Sequence, residues 1–144
     1  MRIITKICII ICFLAAFAVD AQELTEKRLE NPEWLKVISL NMYPGTYDKA
    51  MDLMKTYFLE ADKQAGLPAA ELTMEMVTGE YDLVIVWKYE NGIESLNWEL
   101  SPETIKWYNA LVGIAGSKEE ADAILEEYWS YVKDSKVEIS RKLN

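Results

Sequence analysis

The fold is decided by one short stretch, DLVIVWKY, which runs from Asp82 to Tyr89. It holds five consecutive apolar residues, Leu83 to Trp87, and most of them are β-branched or aromatic. A run of this length between turn-forming residues, here Gly79 and Asn91-Gly92, is typical of a strand that is covered on both faces. The sequence therefore predicts a central strand at this position, and the other elements can be placed around it.

The first strand of the sheet is predicted at residues 34–43, WLKVISLNMY. Alternate residues of a strand point to opposite faces of the sheet. One set is mostly apolar and is expected to face helices: Lys36, Ile38, Leu40 and Met42. The other set begins with apolar residues and ends with polar ones: Leu35, Val37, Ser39 and Asn41.

Two more strands complete the predicted sheet. Residues 71–78 alternate in polarity, and the short link at residues 79–80 should pair them with the central strand as an antiparallel hairpin. Residues 136–143 form a more polar strand, in which Val137 and Ile139 are expected to face inward. Its alternation with charged residues is typical of an edge strand.

Helix-end signals predict three helices. A long helix should begin after Thr46 as N-cap and end near Ala65, because Gly66 suits the position just after a helix. Two later helices should begin after Ser101 and Ser117, since proline or acidic residues follow each serine in the first turn.

The predicted order is β-α-β-β-α-α-β within one domain, residues 34–144, which a polar lead-in at residues 22–33 precedes. Residues 93–100 fit either a short helix or an irregular crossing segment. This order is neither a series of βα units nor an all-β pattern. It fits the α+β class with a ferredoxin-like split βαβ arrangement, an antiparallel four-stranded sheet with helices on one face.

The first 21 residues have the layout of a secretory signal peptide. Arg2 and Lys6 precede an apolar run from Ile7 to Ala18, and small residues then allow cleavage before Gln22. The run has 12 residues, whereas a membrane-spanning helix needs about 20. We therefore expect a secreted or periplasmic protein without stable membrane insertion after cleavage.

Composition excludes several kinds of chemistry. The chain has no histidine, and its two cysteines, Cys8 and Cys12, both lie in the predicted signal peptide. The mature protein would therefore lack the usual ligands of zinc, copper and haem iron, and we expect no cofactor. Loss of Arg2, Lys6 and Asp20 takes the net charge from −9 to −10. So acidic a domain repels nucleic-acid phosphates, and no nucleic-acid partner is expected.

Three stretches make the chain similar to the dimeric α+β-barrel (ferredoxin-like) superfamily: KVISLNMYPG, TGEYDLVIVWKY and the helical region from Ser101 to Val132. The resemblance covers residues 34–143 and implies that the sheet face without helices packs against a second copy, giving a homodimer. Related domains include cofactor-free oxygenases, haem-handling enzymes and chlorite dismutase-like proteins. The haem branches use a proximal histidine, which this chain lacks.

Six residues are candidates for ligand contact: Asn41, Tyr43, Glu75, Trp87, Tyr89 and Trp98. The Trp and Tyr side chains of the last three would line an apolar pocket, or alternatively fill the core. The first three are expected on one shared face as polar anchors, although a hydrated strand end has the same pattern. An interior Glu75 carboxylate would also suit a general base.

These observations predict an exported small dimeric domain that binds a small, mostly apolar molecule in a sheet-lined cleft. Two alternatives remain open: a structural or protein-interaction module without a ligand, and a cofactor-independent oxygenase or isomerase-like enzyme. For the dimer, the expected contact residues on the bare sheet face are Leu35, Val37, Val77, Leu83, Ile85 and Trp87.

Overall fold

The computed structural model describes residues 25–143. The predicted cleavage site before Gln22 therefore lies outside the described residues. The chain separates into two units at Glu30 and Asn31. Residues 25–30 contain no helix or strand, and every element below belongs to the second unit. None of the helices in the described part of the chain has the length and apolarity to cross a membrane.

Four antiparallel strands form one sheet: β1, Trp34–Met42; β2, Leu72–Glu75; β3, Leu83–Lys88; and β4, Val132–Arg141. Their order is β2-β3-β1-β4. The predicted DLVIVWKY strand, β3, is an inner strand, β2 and β3 form a hairpin, and β4 is an edge strand, as expected. The α+β class and the four-stranded antiparallel sheet are thus confirmed.

The helices also follow the predicted order. They are α1, Tyr47–Leu53; a π-helical segment, Met54–Phe58; α2, Leu59–Ala65; α3, Pro102–Ala115; and α4, Lys118–Tyr131. The first three run on without a break where the sequence predicts one long helix. Within the segment 93–100, whose conformation the sequence left open, residues 93–97 belong to a 3-10 helix, Gly92–Asn97, and residues 98–100 form neither helix nor strand.

Helix ends explain why these boundaries hold. The Ser101 hydroxyl accepts a hydrogen bond from the backbone N–H of Thr104 at 3.1 Å, and the Ser117 hydroxyl accepts one from that of Glu120 at 3.1 Å. Both are the predicted N-cap bonds. Gly66 ends α2 in the left-handed region, with φ 65°, where a side chain would be strained.

Thr46 departs from the expected capping role. Its side chain makes no cap hydrogen bond to α1. The hydroxyl instead shares its one hydrogen between two carbonyl oxygens, of Tyr43 at 2.8 Å and of Tyr131 at 3.1 Å. Thr46 therefore ties the start of α1 to the end of α4.

The helix-covered face of the sheet carries the main core. Leu40 of β1 lies opposite Leu83 of β3, and both side chains are nearly inaccessible, at 2% and 1% exposure. Met42, Met54 and Tyr128 belong to the same core. The predicted inward set of β1 is thereby confirmed. A second, smaller core joins α2, α3 and α4 through three fully buried residues, Ala61, Leu111 and Ala121.

The other face of the sheet carries no helix and presents an apolar stripe, which we call the open face. Its residues follow from the strand register: Leu35 and Val37 of β1, Val84 and Val86 of β3, and Leu72 and Met74 of β2. All six are partly or well exposed.

Four residues predicted for this face were placed wrongly. Leu83, Ile85 and Trp87 lie on the helix-covered side, and Val77 lies beyond the end of β2 with 94% of its surface exposed. The reason is that β3 is apolar on both sides, so its pattern does not indicate which set faces the helices.

Two strands differ in length from the prediction. β2 has four residues, and β4 begins directly at the end of α4 rather than at Lys136. Val137 and Ile139 of β4 do lie on the helix side by register, but they are 57% and 48% exposed. Their predicted inward direction is therefore confirmed, but they stay exposed because the helices do not cover this part of the edge strand.

Candidate functional site

A cleft of about 630 Å³ lies between the helix-covered face of the sheet and the helices. The sheet wall includes Ile38, Ile85 and Trp87, and the helix wall includes Phe58 and Tyr128. The walls of this cleft come from β1, β2, β3, the helical segments other than α1, and the connecting loops, and they are predominantly apolar. Its volume lies within the range of small-molecule sites, roughly 300–1,000 Å³.

The π-helical segment shapes the helix wall of the cleft. The backbone N–H of Leu59 donates to the carbonyl oxygen of Met54, five residues earlier, so this turn is wider than an α-helical one. Met54, Phe58 and Leu59 of this turn all line the cleft. Single π-helical turns are found frequently at functional sites, and this one changes the direction in which α2 presents its side chains.

Four aromatic rings from three helical segments form a continuous cluster along the cleft. Phe58 packs edge-to-face against Trp107 of α3 and Tyr128 of α4, with ring centroids 5.5 and 4.9 Å apart. Tyr128 packs in the same manner on Trp129 at 5.5 Å. The indole N–H of Trp107 donates to the carbonyl oxygen of Phe58 at 3.4 Å. Burial raises the pKa of the Tyr128 phenol to about 12, so this ring stays neutral.

Three of the six predicted site residues meet at this cleft. Trp87 lies on the helix-covered side of β3, Tyr89 follows the same strand, and Trp98 follows the 3-10 helix. Burial raises the pKa of the Tyr89 phenol. Trp98 is 57% exposed, which places it where solvent reaches the site.

The other three predicted residues lie elsewhere. Asn41 pairs with Asp134 and belongs to the side of the open face. Tyr43 follows the end of β1 and is half exposed. Glu75 ends β2 opposite Leu83, on the helix-covered side, and lies outside the residues that line the cleft.

The expectation that Asn41 and Glu75 share a face was wrong. A strand's two-residue period fixes which of its own residues share a face, but the phase between two strands depends on register. The sequence pattern alone does not give that register. Glu75 instead lies near Tyr47, where burial first and the Glu75 charge second raise the pKa of the phenol.

Asp62 is the cleft residue that sequence reasoning missed. It belongs to α2, lines the cleft and is partly buried. Burial raises the pKa of its carboxyl group from 3.8 to about 6. Within residues 25–143 its carboxylate takes part in no hydrogen bond or salt bridge. A signal was present, because Asp62 follows Met54 by eight positions and Phe58 by four, which puts all three on one helix face.

Four further charged residues line the cleft: Lys36, Lys88, Glu90 and Glu103. Hydrogen bonds at the start of α3, chiefly with its own backbone N–H and with Ser101, lower the pKa of Glu103. Across the described range, no three His, Cys, Asp or Glu side chains are grouped as a metal ion would require.

Comparison with known proteins finds similarity in structure only. No protein-family model matches the sequence, and no curated protein does. A NIPSNAP family protein from Agrobacterium tumefaciens strain C58 superposes with a TM-score of 0.55 at 10% identity, over 83% of this chain and 94% of that one. A second NIPSNAP family protein of unknown function from the same strain gives 0.54 at 8% identity, over 81% and 94%.

An uncharacterized NIPSNAP-like domain protein from Burkholderia xenovorans gives a TM-score of 0.53 at 10% identity, over 77% of this chain and 85% of that one. At such identities the similarity concerns the fold. It agrees with the α+β antiparallel sheet described above.

Proposed function

We propose that this protein binds a small, mostly apolar molecule in the cleft between sheet and helices. One observation carries the proposal: a partly open cleft of about 630 Å³ lined by aromatic side chains lies between sheet and helices. A concave, mostly apolar cleft of this size is the usual form of a small-molecule site, and a purely structural module has no need of one. The cleft therefore favours ligand binding over the alternative of a structural or interaction module.

The lining determines what kind of ligand fits. Trp87, Trp98 and Trp107 offer flat apolar surfaces, and burial of apolar surface contributes about 25 cal/mol per Å². Polar residues of the walls, such as Asp62 and Tyr128, would orient the ligand. An aromatic or alicyclic molecule with one polar group meets these conditions.

The assembly is part of the same proposal. The open face exposes apolar residues of three adjacent strands, including Val37, Val84 and Val86. Apolar patches of this kind are typical of interfaces, and one face of a sheet can pair with its own copy about a two-fold axis. We expect a homodimer exported after cleavage before Gln22; intact mass from a secreting host tests the cleavage.

A ligand screen tests the function, with tryptophan fluorescence and thermal shift as readouts. Hits should bind at least fivefold more weakly to Trp98→Ala, since loss of the indole removes apolar contact worth about 1 kcal/mol or more. Trp98 is suitable because it is largely exposed, so its loss should cost little stability. Tyr43→Ala is the matched control, an exposed aromatic residue outside the cleft.

Two results would count against cleft binding. One is a screen in which no apolar compound raises the thermal midpoint. The other is a set of hits whose affinities for Trp98→Ala and Tyr43→Ala are the same as for the unmodified protein.

Cofactor-independent catalysis is a second candidate, and one observation favours it. The Asp62 carboxyl lines the cleft and has a pKa of about 6, which suits a general acid or base near neutral pH. Turnover of a quinol-like aromatic substrate, lost in Asp62→Asn, would support it. If compounds bind but none is turned over, catalysis is rejected and ligand binding is the only function retained.

A further inference from the structure

The position of Asp62 gives the cleft a chemical preference. Of the residues that the α1-to-α2 region contributes to the cleft, Asp62 carries the only charge, and Met54, Phe58 and Leu59 are apolar. A carboxylate in such surroundings has lost part of its hydration without gaining a protein partner. A bound cation would replace the lost hydration with an ion pair. A bound anion would instead add electrostatic repulsion.

The aromatic walls point to the same kind of ligand. The faces of tryptophan, tyrosine and phenylalanine rings attract ammonium groups, and tryptophan does so most strongly. Trp87, Trp98, Trp107 and Trp129 all line the cleft with Asp62. The chain as a whole carries a net charge of −9, which favours the approach of cations.

The other titratable groups of the cleft indicate where the cation would sit. Lys36 lies on the helix-covered side of β1, whereas Lys88 ends β3 on the side of the open face. Two carboxylates lie beyond β3 and at the start of α3, and two phenols complete the set: Glu90, Glu103, Tyr89 and Tyr128. The positive charge of Lys36 on the sheet wall directs a ligand cation to the opposite wall, where Asp62 lies.

From these observations we propose that the cleft selects hydrophobic amines, with the ammonium group on the Asp62 carboxylate and the apolar body among the aromatic rings. This inference rests on the proposed binding function and names its ligand class. It assigns Asp62 a binding role in place of the predicted polar anchors Asn41, Tyr43 and Glu75, which lie outside the cleft.

Three indole compounds of matched size test the preference by calorimetry: tryptamine, which is cationic, tryptophol, which is neutral, and indoleacetate, which is anionic. Tryptamine should bind roughly tenfold more tightly than tryptophol, the usual magnitude for a hydrogen bond to a charged group. Indoleacetate should bind more weakly than tryptophol. In Asp62→Asn the preference for tryptamine should disappear, while tryptophol binding stays within about twofold.

Asp52→Asn is the matched control, since Asp52 belongs to α1, is exposed and lies outside the cleft. It should keep the full preference for tryptamine. A second readout needs no variant: because the Asp62 pKa is about 6, tryptamine affinity should rise between about pH 5 and pH 7 and then level off. Tryptophol affinity should stay constant over this range.

Equal affinities for tryptamine and tryptophol would overturn the inference and leave cleft binding intact. A tryptamine preference that persists in Asp62→Asn would overturn it as well. If none of the three indoles binds, the inference fails, and the broader screen with Trp98→Ala decides separately on the proposed function.

Discussion

Partial burial of the Asp62 carboxylate lowers the free energy of unfolding at neutral pH. The pKa of this carboxyl group is higher in the folded state than in the unfolded state. Between those two pKa values the folded protein holds a proton that the unfolded chain releases. The free energy of unfolding therefore falls as the pH rises from 3.8, the unfolded value, through about 6. Structures often accept such a cost where a side chain serves a binding site rather than the core.

Asp62→Asn should accordingly be more stable than the unmodified protein at about pH 7.5. Solvent still screens part of this carboxylate, so the expected gain is only about 1 kcal/mol. Near pH 4 the gain should vanish, because the native carboxyl group is then protonated. Urea unfolding at the two pH values, at one fixed protein concentration, measures the difference.

Asp52→Asn is again the control, because Asp52 is exposed and its substitution removes no burial cost. Its free energy of unfolding should not show this gain at pH 7.5. A gain for Asp62→Asn that is as large near pH 4 as at pH 7.5 would contradict the role of burial. So would an equal gain in the control.

At the scale of single elements, the helix starts give the clearest prediction. The Ser117 hydroxyl satisfies the backbone N–H of Glu120 at the beginning of α4. Ser117→Ala should lower the free energy of unfolding by about 1 kcal/mol, the usual loss for such a cap. Urea unfolding tests this, with Ser130→Ala as control.

Ser130 lies exposed in the last turn of the same helix, and its hydroxyl donates to the carbonyl oxygen of Glu127. Its removal should change stability by less than about 0.5 kcal/mol. Equal losses in both variants would show that the hydroxyl at the helix start has no special role.

The elements were predictable because local signals determine them. The apolar run of β3, the alternation in β1 and the serine caps each act over a few residues, and all three predictions were confirmed. Trp87 and Tyr89 could be assigned to one side of β3 for the same reason, and both line the cleft.

The features that could not be predicted depend on how separate strands and helices are placed against one another. The registers that β1 and β2 each make with β3 put Glu75 and Asn41 on opposite faces, and nothing within either strand shows it. Asp62 was missed because a charged residue is normally assigned to the solvent side of a helix. Its spacing from Phe58 was the better guide, and the π-helical turn just before α2 also affects where it points.

For the whole molecule, the open face yields a prediction about assembly. Val84 lies near the middle of the apolar stripe, opposite Ser39 of β1 and Met74 of β2. If two copies pack through this face, Val84→Lys should give monomers at micromolar concentration, because each interface would bury two lysines without partners. Sedimentation velocity measures the change.

Val137→Lys provides the control, since Val137 is an exposed valine of β4 on the other side of the sheet. This variant should remain dimeric. A monomeric unmodified protein, or dimers that persist in Val84→Lys, would contradict assembly through the open face.

The direct passage from α4 into β4 has a mechanical consequence. Tyr131 is the last residue of the helix and Val132 the first of the strand, so no loop separates them. The Tyr131 carbonyl oxygen accepts hydrogen bonds from the Thr46 hydroxyl and from the backbone N–H of Tyr43, which fix this junction to the turn between β1 and α1. These bonds hold the end of α4 in place, and Tyr128 lies within one turn of them, 4% exposed. We therefore expect the α4 wall of the cleft to keep its position when a larger ligand enters, and the exposed Trp98 side chain to move instead.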